Sequence, residues 1–402
     1  MRFINPNLLP VVLLLTSLCC AAPVQQPRNY DGKRAVTTTV TVKAQAQPTT
    51  TTTVKAQPMA SATIASAPAK SSAAAASASP SAPAAAAPGK PAMGPPNLLS
   101  QLTAEQAGGG VPGGPPPQTT FSANAIRNFK VANFIEGIES GFFAGALQTL
   151  NKDPTFTAPS ADGKSISNVT TQIAAQELVH KATLEGLLGL AMEPTVPSCT
   201  TIFPVADSKD YLAKANVVTS AAIGVIINIL QSLSGTDPNL ISPLSSILSV
   251  ESQQDAFFRM SGSNTPSASP FNTGLSTTFA YNIALTYVDP RSCPQLPDLV
   301  ILPSLNLTSP VVGATAPATP PTSITFTASG NLPKGNLYIG WVNQANPVAY
   351  SNVTVTNGIA TAEIPAGMTG IAFAALTTQT VAMTVDGLTN STLAGPAPVL
   401  MS

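Results

Sequence analysis

Six residues on predicted helices carry the side chains most suited to chemistry in this chain. They are Glu136, Glu139, Glu177, His180, Glu251 and Asp255. Glu177 and His180 stand one helical turn apart, on an arc of about 100° whose other members are apolar. A carboxylate beside an imidazole in a core is costly unless both are paired or bind a metal ion. The spacing therefore predicts a polar cluster or a metal site inside a helical core.

Four amphipathic segments would have to position these residues. Large apolar residues recur at helical spacing over 124–150, 170–191, 209–233 and 243–260. Pro154 and Pro194 follow the first two segments, and Ser-Gly pairs end the other two. Four helices of this length predict an up-and-down four-helix bundle within residues 119–262.

Three motifs resemble the secreted ferritin-like proteins of fungi, which include stress-response and late-sexual-development types. The motifs are Phe134–Glu139, Ala174–His180 and Ile247–Glu251, with flanking pieces around Cys199, Phe203–Val205 and Ser292–Pro294. The resemblance covers roughly residues 121–305. It implies a ferritin-like bundle, and a role in stress or developmental remodelling of the cell surface.

Ferritin-like bundles hold two metal ions with a Glu from each of two helices and a Glu-x-x-His pair from each of the others. The resemblance implies that Glu136 or Glu139 is the first-helix ligand, that Glu177 and His180 form one pair, and that Glu251 opens the second. This chain departs from the pattern in two places. Gln254 stands where the second histidine is expected, and Thr219 stands near the position of the remaining Glu. His180 is the only histidine in the chain.

Three interpretations of these residues stay open. The leading one is a degenerate site without a cofactor, in a non-enzymatic structural or interaction protein. The second is a single iron or manganese ion bound by Glu136, Glu177, His180 and Glu251, with Asp255 assisting. The third is a dinuclear oxidoreductase, which the missing carboxylate and histidine disfavour.

The N-terminus predicts export. Residues 1–21 have the form of a signal peptide: Arg2 precedes a short apolar run, and small residues follow it. The exported chain would keep two cysteines, Cys199 and Cys293, which we expect to form a disulfide outside the cell. The apolar stretch 215–235 contains several polar side chains and is better explained as a bundle helix than as a membrane anchor.

The stretch 22–118 is of low complexity, rich in Ala, Pro, Ser and Thr, and we expect it to form a stalk without a fold. Lys33-Arg34 is a candidate site for a second processing step. Threonine two residues after each of four asparagines predicts N-glycosylation. These asparagines are Asn168, Asn306, Asn352 and Asn390.

Residues 263–303 look like a connector, and residues 304–402 are rich in short β-forming runs. Such runs, with an Asn-Gly turn signal at 357–358, predict a small β-sandwich. Tyr338 and Trp341 could share an exposed face that binds cell-wall polysaccharide, or could pack its core. With Lys plus Arg equal to Asp plus Glu at 18 each, a nucleic-acid partner is excluded. Polysaccharide or other surface proteins are the expected partners.

Overall fold

A computed structural model of the chain describes residues 99–402, except for 114, 162, 295, 297–298, 311–319, 329–332, 334, 358 and 402. The predicted signal peptide, the dibasic pair and most of the predicted stalk lie outside the described residues.

Four long helices occur where the apolar periodicity predicts them. In chain order the helices are α1 (Gln101–Ala107), α2 (Ala123–Thr149), α3 (Pro154–Thr157), α4 (Ile166–Leu190), α5 (Ser208–Leu233), α6 (Ile241–Ser261), α7 (Thr277–Ala284) and α8 (Val385–Ser391). Side-chain caps set the starts of α2, α4 and α5. Ser122 accepts the N–H of Ala125, and Ser165 forms a capping box with Asn168.

The long helices do not alternate strictly in direction. Asn124 at the start of α2 donates to the carbonyl of Ser232 at the end of α5, at 3.1 Å, so these two helices are antiparallel. Thr170 and Tyr211, each near the start of its helix, share a hydrogen bond of 3.0 Å, so α4 and α5 run in the same direction. Segment 191–207 must therefore return along the bundle. One such long crossover is the connectivity of ferritin-like bundles.

Two glycines of α2 let this crossover segment lie against the helix. A Cβ on Gly141 would overlap the side chain of Thr201, and one on Gly145 would lie 3.0 Å from the ring of Phe203. The disulfide Cys199–Cys293 then ties the crossover to the segment that follows α7. The sequence predicts this disulfide, and the structure contains it.

Two of the short helices lie where the sequence predicts a stalk and a connector. Helix α1, within the predicted stalk, is capped by Ser100 and packs against α4. Helix α7, within the predicted connector, is almost entirely buried and packs against α5 and α2. This helix has only 8 residues, too few for its apolar pattern to stand out beside the long helices. A fifth helix, α7, therefore packs against the side of the four-helix bundle.

The C-terminal region is rich in strands, as the sequence predicts. Its strands are β1 (Leu305–Ser309), β2 (Ser323–Ala328), β3 (Tyr338–Val342), β4 (Ala349–Thr356), β5 (Ile359–Glu363), β6 (Ile371–Thr377) and β7 (Thr392–Leu400). All pair antiparallel in one sheet of order β1-β2-β5-β4-β3-β6-β7. The sheet curls so that β1 and β7 lie against each other, which makes it barrel-like rather than a sandwich of two separate sheets.

Helix α5 is long and apolar enough to cross a membrane by length and composition. However, 83% of its most apolar window is buried inside the protein. It packs against α2, α6 and α7. Its apolar character is therefore that of a core helix, as the sequence predicts.

Candidate metal centre

Four of the six predicted residues converge at the middle of the bundle. Glu136 comes from α2, Glu177 and His180 from α4, and Glu251 from α6. Each offers one ligand atom within 4.8 Å of the others. Glu177 and Glu251 are fully buried, and Glu136 and His180 are only 3% and 8% exposed. Three helices therefore place carboxylates around one imidazole, out of contact with bulk water.

One nitrogen of the imidazole lies close to three carboxylates, but it can donate only one hydrogen bond. His180 Nδ1 lies 3.1 Å from Glu177 Oε2, 3.2 Å from Glu251 Oε1 and 3.5 Å from Glu136 Oε2. A ring nitrogen carries one proton at most. That proton goes to the nearest acceptor, Glu177, so the facing oxygens of Glu251 and Glu136 receive no hydrogen bond among the described residues. A metal ion bound to all four residues would satisfy these oxygens together.

Without a metal ion, proton positions have to balance the buried charge. Burial raises the pKa of Glu136 to about 7 and that of Glu251 well above its ordinary value, and the charge of Glu177 adds to both effects. For Glu177, burial acts in the same direction, but the charge and hydrogen bond of His180 outweigh it and lower the pKa. Burial would lower the pKa of His180, yet Glu177 and Glu136 raise it. In the metal-free cluster these shifts favour a Glu177–His180 ion pair and the protonated forms of Glu136 and Glu251.

Glu139, whose charge interacts with this cluster, and Thr219 of α5 both have buried polar atoms without a hydrogen-bond partner among the described residues. Both carboxyl oxygens of Glu139 are buried and lack a hydrogen-bond partner in the described part of the chain, as does the hydroxyl of Thr219. Burial, followed by the charge of Glu251, raises the pKa of Glu139 well above its ordinary value. Glu139 does not belong to the group of four converging residues. Of the two first-helix acids, Glu136 belongs to the converging group, and Glu139 is a buried acid outside it.

Gln254 occupies the place of the second histidine and holds a ligand in position. Its Nε2 donates to Glu177 Oε1 at 2.6 Å and to Gln176 Oε1 at 3.2 Å. Gln176 in turn donates to the carbonyl of Ala107, at the end of α1, at 3.5 Å. Gln254 therefore orients Glu177, and α1 stabilises the outer end of this chain of hydrogen bonds. Gln176 is not among the sequence-predicted site residues, because it lies on the outer side of the predicted ligand face.

Asp255 does not join the cluster, although it follows Glu251 by about one turn. Its Oδ1 accepts hydrogen bonds from Asn216 Nδ2 at 2.5 Å and Ser220 Oγ at 3.3 Å, both on α5. Burial raises the pKa of Asp255 to about 6, against the opposing effect of these donors. The structure does not bring Asp255 into the group of four, so its role in assisting a metal ion stays a prediction. Four residues turn a helix 40° beyond a full turn, and the Asp255 carboxylate contacts α5.

Trp341 is not an exposed sugar-binding surface. It is fully buried in the core of the β-region, and its indole N–H donates to Ser351 Oγ at 2.8 Å. Tyr338 lies on β3, an inner strand of the sheet, and is half-buried. Of the two functions that the sequence allows for Trp341, core packing is confirmed.

A family model for the ferritin-like domain matches residues 124–262. This segment is a ferritin-like domain. The match spans α2, α4, α5 and α6, the helices that carry all four converging residues. No curated protein matches the chain in a sequence search. The candidate metal centre therefore lies within the ferritin-like domain, and the strand-rich β-region follows this domain along the chain.

Proposed function

We propose that the ferritin-like domain binds one divalent metal ion, iron or manganese, through Glu136, Glu177, His180 and Glu251. The observation that carries this proposal is the single imidazole nitrogen that faces three buried carboxylates within 3.5 Å. Buried acids that lack partners are expensive. Three carboxylate oxygens and one imidazole nitrogen form a mixed ligand set that suits iron(II) or manganese(II).

One ion fits this centre better than two. A second ion would need further oxygen or nitrogen ligands, but α5 contributes Thr219 and α6 contributes Gln254 in the positions concerned. Gln254 uses its amide group to bind Glu177. The remaining acid, Glu139, does not belong to the group of four converging residues. When bound, a single ion of this kind supplies Lewis-acid or one-electron redox chemistry. The residues themselves hold the ion, exclude water and release protons from Glu136, Glu251 and His180 as it binds.

Metal content of the full chain tests the proposal. We expect natively produced protein, stripped with a chelator and reloaded anaerobically with Mn²⁺ or Fe²⁺, to retain about one ion per chain by elemental analysis. Glu177→Ala and His180→Ala should each lower this severalfold. Asp255→Asn is the matched control, since Asp255 is a buried acid of α6 outside the cluster, and it should keep the metal. A folded native protein that retains no metal would overturn the proposal.

We also propose that the protein is exported and glycosylated, and acts at the cell surface, the setting that the resemblance implies. The disulfide Cys199–Cys293 supports an oxidising compartment. All four sequon asparagines are exposed, which leaves them accessible to glycans. Expression in a secretory host should yield protein in the medium whose mass falls on endoglycosidase treatment. Retention inside the cell, or an unchanged mass, would contradict this proposal.

A further inference from the structure

A pocket of about 250 Å³ lies outside the metal centre, where the ferritin-like domain meets the β-region. Its floor is Asp255 and Arg259 of α6, and its far wall is formed by Gly370 and Ile371 at the start of β6. The loop after α6 closes the remaining side with serine, threonine and asparagine side chains. This volume is below the roughly 300–1,000 Å³ of sites for drug-sized ligands, so it suits a compact polar molecule.

The pocket has a defined shape because hydrogen bonds hold its walls. Ser269 of the loop bonds Thr369 at 2.7 Å, and Thr273 donates to the carbonyl of Ile371 at 3.1 Å. On the floor, Arg259 is 4% exposed, and its Nε donates to the carbonyl of Thr265 at 2.8 Å. These contacts join the loop, α6 and the β-region around one cavity.

The charges of the floor favour a neutral ligand. Asp255 Oδ1 accepts from Asn216 and Ser220, and no hydrogen bond to Oδ2 is seen among the described residues, so Oδ2 can accept one from a ligand. An anion bound near Arg259 would meet the carboxylate of Asp255, and a cation bound near Asp255 would meet the guanidinium. A neutral molecule with hydroxyl groups avoids both conflicts, because a hydroxyl can donate to the carboxylate without bringing a charge.

An exposed aromatic ring stands at the rim. Phe271 lines the pocket and is 62% exposed, and no other aromatic side chain among the described residues is classed as exposed. Phe271 therefore offers an apolar aromatic face to a ligand at the mouth of the pocket. The apolar face of a sugar ring can pack against it, and a sugar also brings the hydroxyls that suit the floor.

From these features we infer that this pocket binds one neutral sugar unit, with Phe271 against the ring face and Asp255 accepting a hydrogen bond from one of its hydroxyls. The sugar could be free or the end unit of a polysaccharide, since both present the same chemistry. The site is independent of the metal centre and goes beyond the proposed metal-binding function.

Saturation-transfer NMR of the full chain with glucose, mannose and N-acetylglucosamine, and pull-down with insoluble glucan, mannan and chitin, test the inference. We expect at least one free sugar or polymer to bind, with a Kd on the order of 1 mM for a single sugar unit. Phe271→Ala and Asp255→Asn should each weaken binding about tenfold. Met383→Ala is the matched control, since Met383 is 63% exposed and does not line the pocket.

The NMR and pull-down experiments together distinguish a free sugar from the end unit of a polysaccharide. Binding in the NMR arm supports a free sugar as ligand, and binding in the pull-down alone supports the end of a polymer. Absence of binding in both arms would overturn the inference, as would binding that both pocket variants retain. The metal-free variant His180→Ala should still bind sugar, so failure of the metal proposal is distinguishable from failure of this one.

Discussion

At the scale of single residues, the centre predicts an unusual dependence of stability on pH. Burial raises the pKa of Glu136 from 4.5 to about 7, so between these values the unfolded chain loses this proton while the folded, metal-free protein keeps it. The unfolded state then binds fewer protons, and the free energy of unfolding falls as pH rises. For Glu136 alone, the fall amounts to roughly 3 kcal/mol.

The residues around Glu136 do not oppose this fall in unfolding free energy between pH 5 and pH 8. The raised pKa of His180 adds stability that is lost above pH 6.5, and the lowered pKa of Glu177 matters only below pH 4.5. Urea unfolding with a chelator should therefore give a higher free energy at pH 5 than at pH 8. With Mn²⁺ present the order should reverse, because the ligands bind metal in their deprotonated forms. A metal-free protein that is more stable at pH 8 would contradict this account of the cluster.

Thr219 gives a second prediction at this scale. Its side chain is fully buried, and its hydroxyl has no hydrogen-bond partner among the described residues. Thr219→Val keeps the shape and removes the unsatisfied group, so we expect the free energy of unfolding to rise by about 1–2 kcal/mol. Thr170→Val is the control: this hydroxyl bonds Tyr211 at 3.0 Å, and its loss should destabilise the protein by a similar amount. Urea denaturation measures both, and a destabilised Thr219→Val would show that the hydroxyl has a partner in solution.

At the scale of elements, the long helices could be predicted because their apolar spacing and capping residues agree. The four converging residues could be predicted for the same reason: an acid on the apolar face of a long helix must lie in the core. Asp255 could not be excluded, because 40° of helix rotation decides between two neighbouring helices, and periodicity does not fix rotation so finely. The course of segment 191–207 could not be predicted either. It depends on the close approach of Thr201 and Phe203 to Gly141 and Gly145, where α2 has no side chain in the way.

Those contacts predict the effect of a methyl group on α2. Gly141→Ala would place a Cβ in overlap with Thr201, with 3.1 Å to the Cβ of that residue. We expect a loss of about 1–3 kcal/mol of unfolding free energy from the clash. Gly186→Ala on α4 is the matched control, because nothing lies within 4 Å of its added Cβ. Better helix propensity should make this control neutral or more stable by up to about 1 kcal/mol.

The crossover itself can be tested with a double variant. Thr201→Ala removes the hydroxyl that the new methyl group would meet, so Gly141→Ala combined with Thr201→Ala should recover part of the lost stability. Strict additivity of the two changes in urea unfolding would mean that the crossover does not contact α2 at this position.

At the scale of the whole molecule, the ferritin-like domain and the β-region share one apolar core. Leu275 and Phe279, beside and within α7, belong to the same buried cluster as Phe373 of β6 and Leu388 of α8. Thr273 adds polar links across this boundary, since its hydroxyl donates to Ile371 O and accepts the N–H of Gln344 at 2.8 Å. A boundary that is both apolar and hydrogen-bonded should make the two parts unfold together.

Two spectroscopic signals can follow the two parts separately in one unfolding experiment. Trp341 is the only tryptophan of the chain and lies in the β-region, so its fluorescence reports that part, while circular dichroism at 222 nm reports the helices. We expect the two signals to give the same midpoint in urea. Thr273→Val should lower the free energy of unfolding by about 1–3 kcal/mol and move both midpoints together. Thr327→Val, at an exposed position of β2, should move neither, and separate midpoints in the native protein would show that the boundary does not couple the two parts.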